Sequence, residues 1–401
     1  MDYKIVKECR ICASPNLKKY LDLGLQPLAN SLGNHPTKYP LEVLFCEDCS
    51  LSQLSVVVNP DLLYKDYPYH SSVSKTFQKH CQAMAVELKQ YFPDAEPLIV
   101  DIASNDGCLL NEFKQEGYRV MGVEPAQNLV DSALTKGIST IKGYWGTEAT
   151  ALVPNADVIT ATNVFAHVDD IHSFLNGVRD KLRVYSKGIF VLEVPYLPNL
   201  IEGNQFDTIY HEHLSYFLLS PLDKLFNSCG MQIFRVDKLA IHGGSIRIYS
   251  SPYNYSIEGS YLDIIQEEKD KGYHFLETYL NFSNNVEFVK RELKELLYQL
   301  KLEGKKVMGY GASAKGVGLL NMCKIERDEI ESVVDETPAK QGKTIPGLGI
   351  PIVGFDCFDV VEPDYIILLA WNFAKELIEK TPRHKERRGK YIIPIPKVEI
   401  I

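Results

Sequence analysis

Four consecutive residues with acid, base or hydrogen-bonding side chains lie within the stretch TIYHEHLSYF: Tyr210, His211, Glu212 and His213. A histidine can take a proton near pH 7, a neighbouring carboxylate orients it or raises its basicity, and a tyrosine hydroxyl can donate to a developing oxyanion. Tyr210, Glu212 and His213 therefore suit the removal of a proton next to a carbonyl group. In an extended segment the two histidines would share one face, so a bend is needed to bring the three functional groups together. An HxH metal site and a purely structural surface cluster are the alternatives.

Two CxxC pairs in the first 50 residues are a second chemical signal, CRIC and CEDC. Four thiolates can complete a tetrahedron around zinc, and each tight CxxC turn places two of them together. The predicted metal ligands are Cys9, Cys12, Cys46 and Cys49. Because four cysteine ligands leave no open position for a substrate, we expect a structural zinc ion. The alternative is four ordinary buried or disulfide-bonded cysteines.

The elements that would position the acid/base cluster begin with an α/β unit at 96–133. Leu98–Ile102 is an apolar run that suits a buried parallel strand, a helix is predicted at 109–116, and a second strand at 118–123 ends before Glu124. An acidic residue in this place can bind the two ribose hydroxyls of a nucleotide. The turn after the first strand is not GxGxxG, so it suits a cofactor without a pyrophosphate.

Further strands predicted at 157–161 and 188–194 continue the sheet. Polar residues follow both of them, at 163–167 and 193–196, and open α/β sheets bind their ligands at this carboxyl edge. The cluster at 210–213 comes after the same edge.

The unit at 96–133 resembles motif I of the class I S-adenosylmethionine-dependent methyltransferases. The resemblance implies that the cofactor-binding residues are Asp101, Ala103, Ser104, Asn105, Asp106, Gly107, Glu124, Pro125 and Asn163. The first glycine of the motif is Ala103 here, and its methyl group is expected to narrow the pocket. A Rossmann-like fold with another ligand is the alternative.

The second half of the chain predicts a strand pair around the Gly-Gly turn of LAIHGGSIRIYS and then a long helix with one buried stripe. The sequence KKVMGYGASAKGVGLLNM follows as strand, glycine-rich turn and helix. Backbone N–H groups at such a helix start can hold phosphate oxygens, and Lys315 could add charge. The spacing is not that of a Walker A loop.

Nearly the whole chain resembles the sugar C-methyltransferases that act on nucleotide-linked keto-deoxysugars. The resemblance is carried in order by the two CxxC pairs, YPYHSSVS, DIASNDG, NVFAHVDD, EVPY, YHEH, HGGSIRIY, GYGASAKG and VVDETPAKQGKTIPG. It implies an α/β fold with a small N-terminal zinc-binding lobe, a central class I methyltransferase domain of Rossmann-like fold and a C-terminal Rossmann-like α/β domain. The expected boundaries are 1–75, 76–255 and 256–401, with a helical connection at 257–303.

The resemblance also implies roles for single residues. His213 is the expected general base, Glu212 its neighbouring carboxylate, and Tyr210, His167 and Tyr69 the other catalytic residues; Tyr69 in a domain seam and His167 at a helix start are the structural alternatives. The expected substrate-binding residues are Tyr196, His242, Gly243, Ser245, Arg247, Gly311, Ala312, Ser313, Lys315, Gly316, Asp335 and Lys340. A structural hairpin is the alternative for the residues from His242 to Arg247.

The resulting functional hypothesis is methylation at C-3 of a nucleotide-diphosphate 4-keto-deoxysugar, with S-adenosylmethionine as methyl donor and His213 forming an enolate. An epimerase that uses the same enolate, a non-catalytic sugar-nucleotide-binding module and an oxygen methyltransferase are the rivals. The formal net charge of −9 gives no reason to expect nucleic-acid or membrane binding. We expect a cytoplasmic protein, because the chain start lacks the apolar run of a signal peptide. We expect a monomer, because nothing in the sequence marks an interface.

Overall fold

The computed structural model describes residues 2–33, 37–64, 70–92, 96–183 and 187–401. Its strands, in chain order, are β1 (Tyr3–Ile5), β2 (Leu17–Pro27), β3 (Lys38–Cys46), β4 (Ser52–Leu54), β5 (Val56–Val58), β6 (Leu98–Ile102), β7 (Arg119–Glu124), β8 (Thr140–Lys142), β9 (Val158–Thr162), β10 (Ile189–Pro195), β11 (Ser215–Tyr216), β12 (Gln232–Leu239), β13 (Ser245–Ser251), β14 (Val307–Tyr310), β15 (Val333–Val334), β16 (Ile352–Val353), β17 (Tyr365–Leu368), β18 (Lys390–Ile393) and β19 (Glu399–Ile400).

The helices are α1 (Asp61–Tyr64), α2 (Lys75–Leu88), α3 (Cys108–Gln115), α4 (Gln127–Thr135), α5 (Glu148–Leu152), α6 (Ile171–Lys181), α7 (Leu197–Glu202), α8 (Leu219–Ser228), α9 (Gly259–Asp270), α10 (Leu276–Leu302), α11 (Ala314–Met322), α12 (Cys357–Val361), α13 (Ala374–Glu379) and α14 (Pro382–Glu386). Short 3₁₀ turns lie at Ser71–Val73, Lys89–Tyr91, Phe165–His167, Phe206–Thr208, Ile241–Gly243, Pro338–Lys340 and Trp371–Phe373. Within these ranges, none of the helices is both long enough and apolar enough to cross a bilayer.

The N-terminal lobe is built on an antiparallel sheet in the order β11-β4-β3-β2. Along β3, buried residues alternate with more exposed ones, as expected of a strand with one face against the core. The connection between β3 and β4 carries the second CxxC pair. The edge strand β11 comes from residues 215–216, far away in sequence, and lies directly after the YHEH cluster.

The central sheet has the order β12-β13-β10-β9-β6-β7-β8. The strands from β10 to β8 are mutually parallel, and β13 runs antiparallel to both of its neighbours. The first strand in sequence, β6, lies between β7 and β9, and this switch point is where open α/β sheets bind ligands. The strand pair around the Gly-Gly turn is confirmed, with β12 starting earlier than the sequence indicated.

The C-terminal sheet has the order β16-β15-β14-β17-β18-β19, parallel except for β19. Its first strand, β14, lies in the middle, so this sheet has a second switch point. Helix α11 starts at the glycine-rich turn, where the Ser313 side chain caps it by accepting from the Gly316 N–H.

Helix α10 carries the buried stripe that the sequence predicted, at Val286, Val289, Leu293, Leu297 and Leu300. It also packs on the N-terminal sheet, since the Tyr279 ring lies 4.6 Å from that of Phe45 and 5.1 Å from that of Tyr20. One hydrophobic core therefore joins the N-terminal lobe to the C-terminal sheet. A second core joins the cysteine knuckles to the central sheet.

Candidate active site

The four cysteines of the CxxC pairs converge in the N-terminal lobe. Their Sγ atoms all lie within 4.8 Å of one another, with Cys9–Cys49 at 3.4 Å and Cys12–Cys46 at 3.6 Å. A tetrahedral zinc ion with Zn–S bonds of about 2.3 Å would separate its sulfurs by about 3.8 Å. The four thiols therefore fit zinc, and Cys9, Cys12, Cys46 and Cys49 fill all four of its positions.

Two buried carboxylates lie at the carboxyl ends of adjacent strands in the central sheet. Asp101 on β6 accepts a hydrogen bond of 2.6 Å from the Thr160 hydroxyl, and burial raises its pKa to about 7. Glu124 on β7 accepts from the backbone N–H groups of Asn105 and Ala126, both at 2.9 Å, and burial raises its pKa as well. A carboxylate has about four lone-pair sites, so Glu124 keeps acceptor capacity for ribose hydroxyls.

The DIASNDG turn joins these carboxylates to the start of α3. Gly107 has a φ of +75°, and a Cβ there would lie 2.6 Å from Ile138 Cδ1, so this position requires glycine. Ala103, Asn105 and Asn163 also have positive φ, at +57°, +52° and +56°. The backbone at the expected cofactor edge is therefore held in conformations that side chains disfavour, which is common where a ligand binds.

The segment 70–74 packs against this turn. The Ser71 N–H donates to Asn105 Oδ1 at 2.9 Å, and the Ser72 hydroxyl donates to Asp106, whose Oδ2 also lies 3.1 Å from Lys136 Nζ. Two buried atoms of the turn, Ser104 Oγ and Asp106 Oδ1, have no hydrogen-bond partner among the described residues. The carboxylates, these polar atoms and half-buried Pro125 make a donor and acceptor set that fits S-adenosylmethionine.

The YHEH cluster forms a turn in which the His213 N–H donates to the Tyr210 carbonyl at 2.9 Å. This is the bend that the sequence required. The His213 Nδ1 lies 2.8 Å from the Thr208 carbonyl oxygen. A carbonyl can only accept, so Nδ1 carries the ring proton and Nε2 of the neutral ring carries the lone pair. The ring centroids of Tyr210 and His213 are 4.1 Å apart.

His167 lies beside His213, with ring centroids 5.1 Å apart. Burial lowers the pKa of His167 to about 4, so this imidazole is neutral at pH 7. Its Nδ1 lies 3.2 Å from the hydroxyl of Tyr64, which is also 3.4 Å from the Glu212 carbonyl oxygen. Tyr64 at the end of α1 thus joins the two histidine segments, which are residues 165–169 around His167 and residues 210–214 around His213.

Glu212 is 2% exposed, and its Oε1 accepts a hydrogen bond of 2.6 Å from Asn30 Nδ2 of the N-terminal lobe. His211 faces a different direction. Its Nε2 donates to the Pro40 carbonyl at 3.2 Å, and burial lowers its pKa to about 4. Only one histidine of the HxH pattern therefore joins His167, and the pattern does not form a metal site among the described residues.

A small cavity of about 10 Å³, the space of one water molecule, lies beside the His213 ring. Its lining includes Thr208, Ser215 and Tyr216, and the three hydroxyl oxygens of these residues have no hydrogen-bond partner among the described residues. Buried hydroxyls are nearly always hydrogen-bonded, so this cavity suits an ordered water molecule.

Several residues expected to bind substrate have other partners. The Tyr196 hydroxyl donates to Glu268 at 2.9 Å. Arg247 is 3% exposed and forms ion pairs of 2.6 Å with Glu193 and 2.7 Å with Glu87. The carbonyl of Gly243 accepts from the Gln205 side chain at 2.8 Å, and the hydroxyl of buried Ser245 donates to the Ile241 carbonyl at 3.3 Å. These contacts favour the structural hairpin over a substrate site.

The C-terminal candidates do come together around the glycine-rich turn. Asp335, at the end of β15, accepts from the Ala312 N–H at 2.8 Å and from Lys340 Nζ at 3.1 Å. Gly311 and Gly316 touch, since a Cβ on Gly316 would lie 2.7 Å from the Gly311 carbonyl oxygen. Residues from Gly311 to Gly316, with Asp335 and Lys340, therefore surround the start of α11.

Lys315 connects this turn to the central domain. Its Nζ lies 5.8 Å from the centroid of the Trp371 ring, and the Trp371 indole N–H donates to Asp207 at 2.7 Å. Asp207 is fully buried, and that burial raises its pKa, opposed by the charge of Lys315. Asp207 is followed by Thr208, whose carbonyl oxygen accepts the hydrogen bond from His213 Nδ1.

Two of the predicted site residues cannot be located, because the structure does not describe Tyr69 or the side chain of His242. Tyr69 falls in the range 65–69, and the side chain of His242 is likewise outside the described part. Sequence reasoning missed Asn30 and Tyr64, which contact the histidine segments from the N-terminal lobe. No sequence motif marks either residue, and both contacts span more than 100 positions of the chain.

Three sequence families match the chain in order: a zinc-binding domain at 9–64, a methyltransferase domain at 77–236 and the C-methyltransferase C-terminal domain at 240–396. The C-methyltransferase NovU of Streptomyces niveus is 36% identical over 411 residues, which cover 99% of this chain and 97% of NovU.

Solved structures give weaker similarities. The PH0226 protein of Pyrococcus horikoshii OT3 is 13% identical with a TM-score of 0.38 over 48% of this chain and 98% of that chain. Magnesium protoporphyrin IX methyltransferase of Synechocystis PCC 6803, with bound SAH, is 14% identical with a TM-score of 0.37 over 44% of this chain and 83% of that chain.

The family assignment rests on the sequence matches. It leaves the epimerase and the non-catalytic module without support. With its four-cysteine lobe and its cofactor edge, the chain belongs to the C-methyltransferases, and it is an S-adenosylmethionine-dependent enzyme of that family.

Proposed function

We propose that this enzyme methylates C-3 of a nucleotide-diphosphate 4-keto-deoxysugar through an enolate formed by His213. The observation that carries the proposal is the contact of 2.8 Å between His213 Nδ1 and the Thr208 carbonyl. It fixes the neutral tautomer with Nε2 as the basic nitrogen, which is the state that a general base needs before it takes a proton.

The acid to be deprotonated is a ring C–H next to the C-4 ketone. His213 Nε2 takes the C-3 proton, and the electron pair of that bond moves into the carbonyl group to give the enolate oxygen. Hydrogen-bond donors aimed at this oxygen lower the barrier. When bound, S-adenosylmethionine would supply an electrophilic methyl group: the enolate carbon C-3 would form the new C–C bond as the S–CH3 bond breaks, and the electron pair of that bond would stay on sulfur as S-adenosylhomocysteine leaves.

His167 and Tyr210 are the proposed donors to the enolate oxygen. We assign the proton of the Tyr64 hydroxyl to the shorter of its two contacts, at 3.2 Å to His167 Nδ1. The ring proton of His167 then lies on Nε2. Because burial lowers the pKa of His167 to about 4, this ring donates as a neutral imidazole and brings no positive charge next to His213.

The buried Glu212 carboxylate has the proposed role of stabilising the positive charge that His213 gains when it takes the proton. His213 becomes an imidazolium when it takes the proton, and a nearby carboxylate stabilises that cation. The Asn30 amide, 2.6 Å from Glu212 Oε1, holds the carboxylate in place. We assign the nucleotide diphosphate to the turn from Gly311 to Gly316, because this turn lies at the start of α11 and at the switch point of the C-terminal sheet.

The test combines a substrate panel with one variant. The enzyme is incubated with labelled S-adenosylmethionine and a panel of 4-keto sugar nucleotides, and mass spectrometry follows the gain of one methylene group. His213→Ala should bind both substrates and lose turnover by roughly 10²-fold or more. His211→Asn is the matched control, because that ring faces Pro40; it should keep its turnover number within a few-fold.

Proton abstraction is measured separately. In deuterated buffer without the methyl donor, the wild type should exchange hydrogen at C-3 and His213→Ala should not. If His213→Ala keeps more than about a tenth of the wild-type turnover, His213 is not the base. If no keto sugar in the panel gains a methyl group, the substrate class is wrong.

A further inference from the structure

Arg10 lies between two of the zinc ligands, in the sequence Cys-Arg-Ile-Cys. Its side chain is only 4% exposed. Its backbone N–H donates to Gln53 Oε1 at 2.9 Å, which ties the knuckle to β4. The backbone position from which this side chain starts is therefore held by the cysteine knuckle and by the N-terminal sheet.

The guanidinium group contacts both segments that carry the active-site histidines. Arg10 Nη1 donates to the carbonyl of Leu214, the residue after His213, at 3.1 Å. Arg10 Nε donates to Asp169 Oδ1, two residues after His167, at 3.4 Å. One rigid, planar donor group thus bridges the two histidine segments from a metal-binding turn.

The backbone around these contacts is continuous with the N-terminal lobe. The Leu214 N–H donates to the Ala166 carbonyl at 2.7 Å, which joins the two histidine segments directly. The Leu214 carbonyl also accepts from the Leu54 N–H at 2.9 Å, at the start of the pairing between β11 and β4. Arg10 therefore contacts the backbone position at which both histidine segments and β4 meet.

Burying the Arg10 side chain between the cysteine knuckle and the histidine segments costs free energy of folding. Removing a charged group from water costs several kcal/mol unless good partners offset it, and Arg10 Nη2 has no hydrogen-bond partner among the described residues. An apolar side chain would fill the same volume without that cost. The donors of the guanidinium group are thus the feature that an apolar residue would not reproduce.

We propose that Arg10 is a positioning residue, which transmits the geometry of the zinc knuckle to the His213 and His167 segments and keeps the two rings in register. The proposal deepens the function given above and rests on His213 acting as the base. It also gives the zinc-binding lobe a part in the reaction. The four cysteines hold the origin of the Arg10 side chain, and the side chain holds the backbone of the base.

The main test is Arg10→Met, measured on the full chain with its zinc content determined by a colorimetric chelator after denaturation. The variant should keep one zinc ion per chain and KM values within about three-fold of wild type. Its kcat should fall by about 10- to 100-fold, since small displacements of a catalytic group cost this much. Arg10→Lys keeps the charge but cannot bridge both segments, so it should recover only part of the loss.

The matched control is His172→Gln. His172 Nε2 donates to the carbonyl of Ile11 at 2.8 Å, so it fastens the same knuckle to α6, and the ring contacts given for it within the described residues, to Ile11 and Cys229, involve neither His167 nor His213. This variant should lower the melting temperature at least as much as Arg10→Met and keep kcat within about three-fold. Asp169→Asn, which weakens the second contact of Arg10, should reduce kcat in the same direction as Arg10→Met.

A spectroscopic readout separates positioning from general loss of structure. With ¹⁵N-labelled histidine, the ring of His213, assigned by comparison with His213→Ala, should show one Nδ1–H tautomer in the wild type and a mixture in Arg10→Met. A wild-type kcat together with a wild-type tautomer in Arg10→Met would overturn the proposal.

The double variant Arg10→Met with His213→Ala distinguishes this failure from failure of the proposed function. If Arg10 acts through His213, adding Arg10→Met to His213→Ala should reduce turnover by less than two-fold. A full further reduction would show that Arg10 acts through His167 or elsewhere, and not through His213. If His213→Ala alone keeps its turnover, the proposed function fails whatever Arg10→Met does.

Discussion

The buried carboxyl of Asp101 makes the stability of the cofactor-free enzyme depend on pH. Burial raises its pKa from an ordinary 3.8 to about 7, with Glu124 and Glu193 adding to the shift and the Thr160 hydroxyl opposing it. The folded protein therefore holds a proton that the unfolded chain releases at lower pH. The contribution of this proton to the free energy of unfolding is complete below about pH 3.8 and is lost as the pH rises to about 7.

The size of the effect follows from the shift. The difference between about 7 and 3.8 is about 3 pKa units, and each unit corresponds to about 1.4 kcal/mol. Above pH 7 the folded protein thus carries a penalty of up to about 4 kcal/mol for the ionised Asp101. Asp101→Asn keeps an oxygen to accept from Thr160 and carries no charge, so it should remove this penalty.

The assay is the melting temperature of the cofactor-free protein between pH 5 and pH 9 at fixed ionic strength. Asp101→Asn should already be more stable than the wild type by about 1.6 kcal/mol at pH 5, which lies above the ordinary pKa of 3.8, and the difference should grow to about 4 kcal/mol, several degrees in melting temperature, above pH 7. The control is Asp157→Asn at the opposite edge of the sheet. Asp157 pairs with Arg183 at 3.1 Å, so losing that pair should destabilise the protein instead.

The reasoning fails if Asp101→Asn and the wild type melt with the same pH dependence, or if the variant is less stable above pH 7. Either result would mean that the carboxyl is already ionised at low pH in the folded protein. The burial cost would then be offset by contacts that the structure does not show.

Two further predictions concern the cofactor turn and the histidine pair. Ala103→Gly removes a left-handed alanine, which costs roughly 1–2 kcal/mol, and adds chain entropy of roughly 0.4–1 kcal/mol to the unfolded state. Stability should stay within about 1 kcal/mol and S-adenosylmethionine affinity by calorimetry should be equal or higher; weaker binding would contradict this. Tyr64→Phe leaves the buried Nδ1 of His167 without its partner, at a cost of roughly 1–3 kcal/mol, and should lower kcat about ten-fold. An unchanged kcat would remove Tyr64 from the site.

The sequence predicted the parts of the fold that depend on neighbouring residues. The run before Asp101, the turn to Gly107 and the acid at Glu124 lie within one βαβ unit, where apolar runs and turn residues determine the elements. Strands at the predicted places confirm them, with ends within one or two positions. The four cysteines were found for the same reason, because CxxC spacing is local.

The contacts that complete the site are long-range, and a single sequence gives no signal for them. Asn30 and Glu212 are 182 positions apart, and Arg10 and Leu214 are 204 positions apart. Arg247 was expected at the substrate, yet the register of β13 places it opposite Glu193, with which it forms an ion pair. Pairing of this kind is decided by tertiary packing. The predicted boundaries at 75/76 and 255/256 stay a prediction.

The strand at Ser215–Tyr216 also decides where this protein can be divided. A fragment cut at the start of the methyltransferase match, residue 77, would lose β4 and leave the backbone N–H and C=O groups of β11 without their strand partner. Unpaired strand edges invite association with other chains. A fragment that contains the methyltransferase match therefore has to keep β4 as well if β11 is to stay paired.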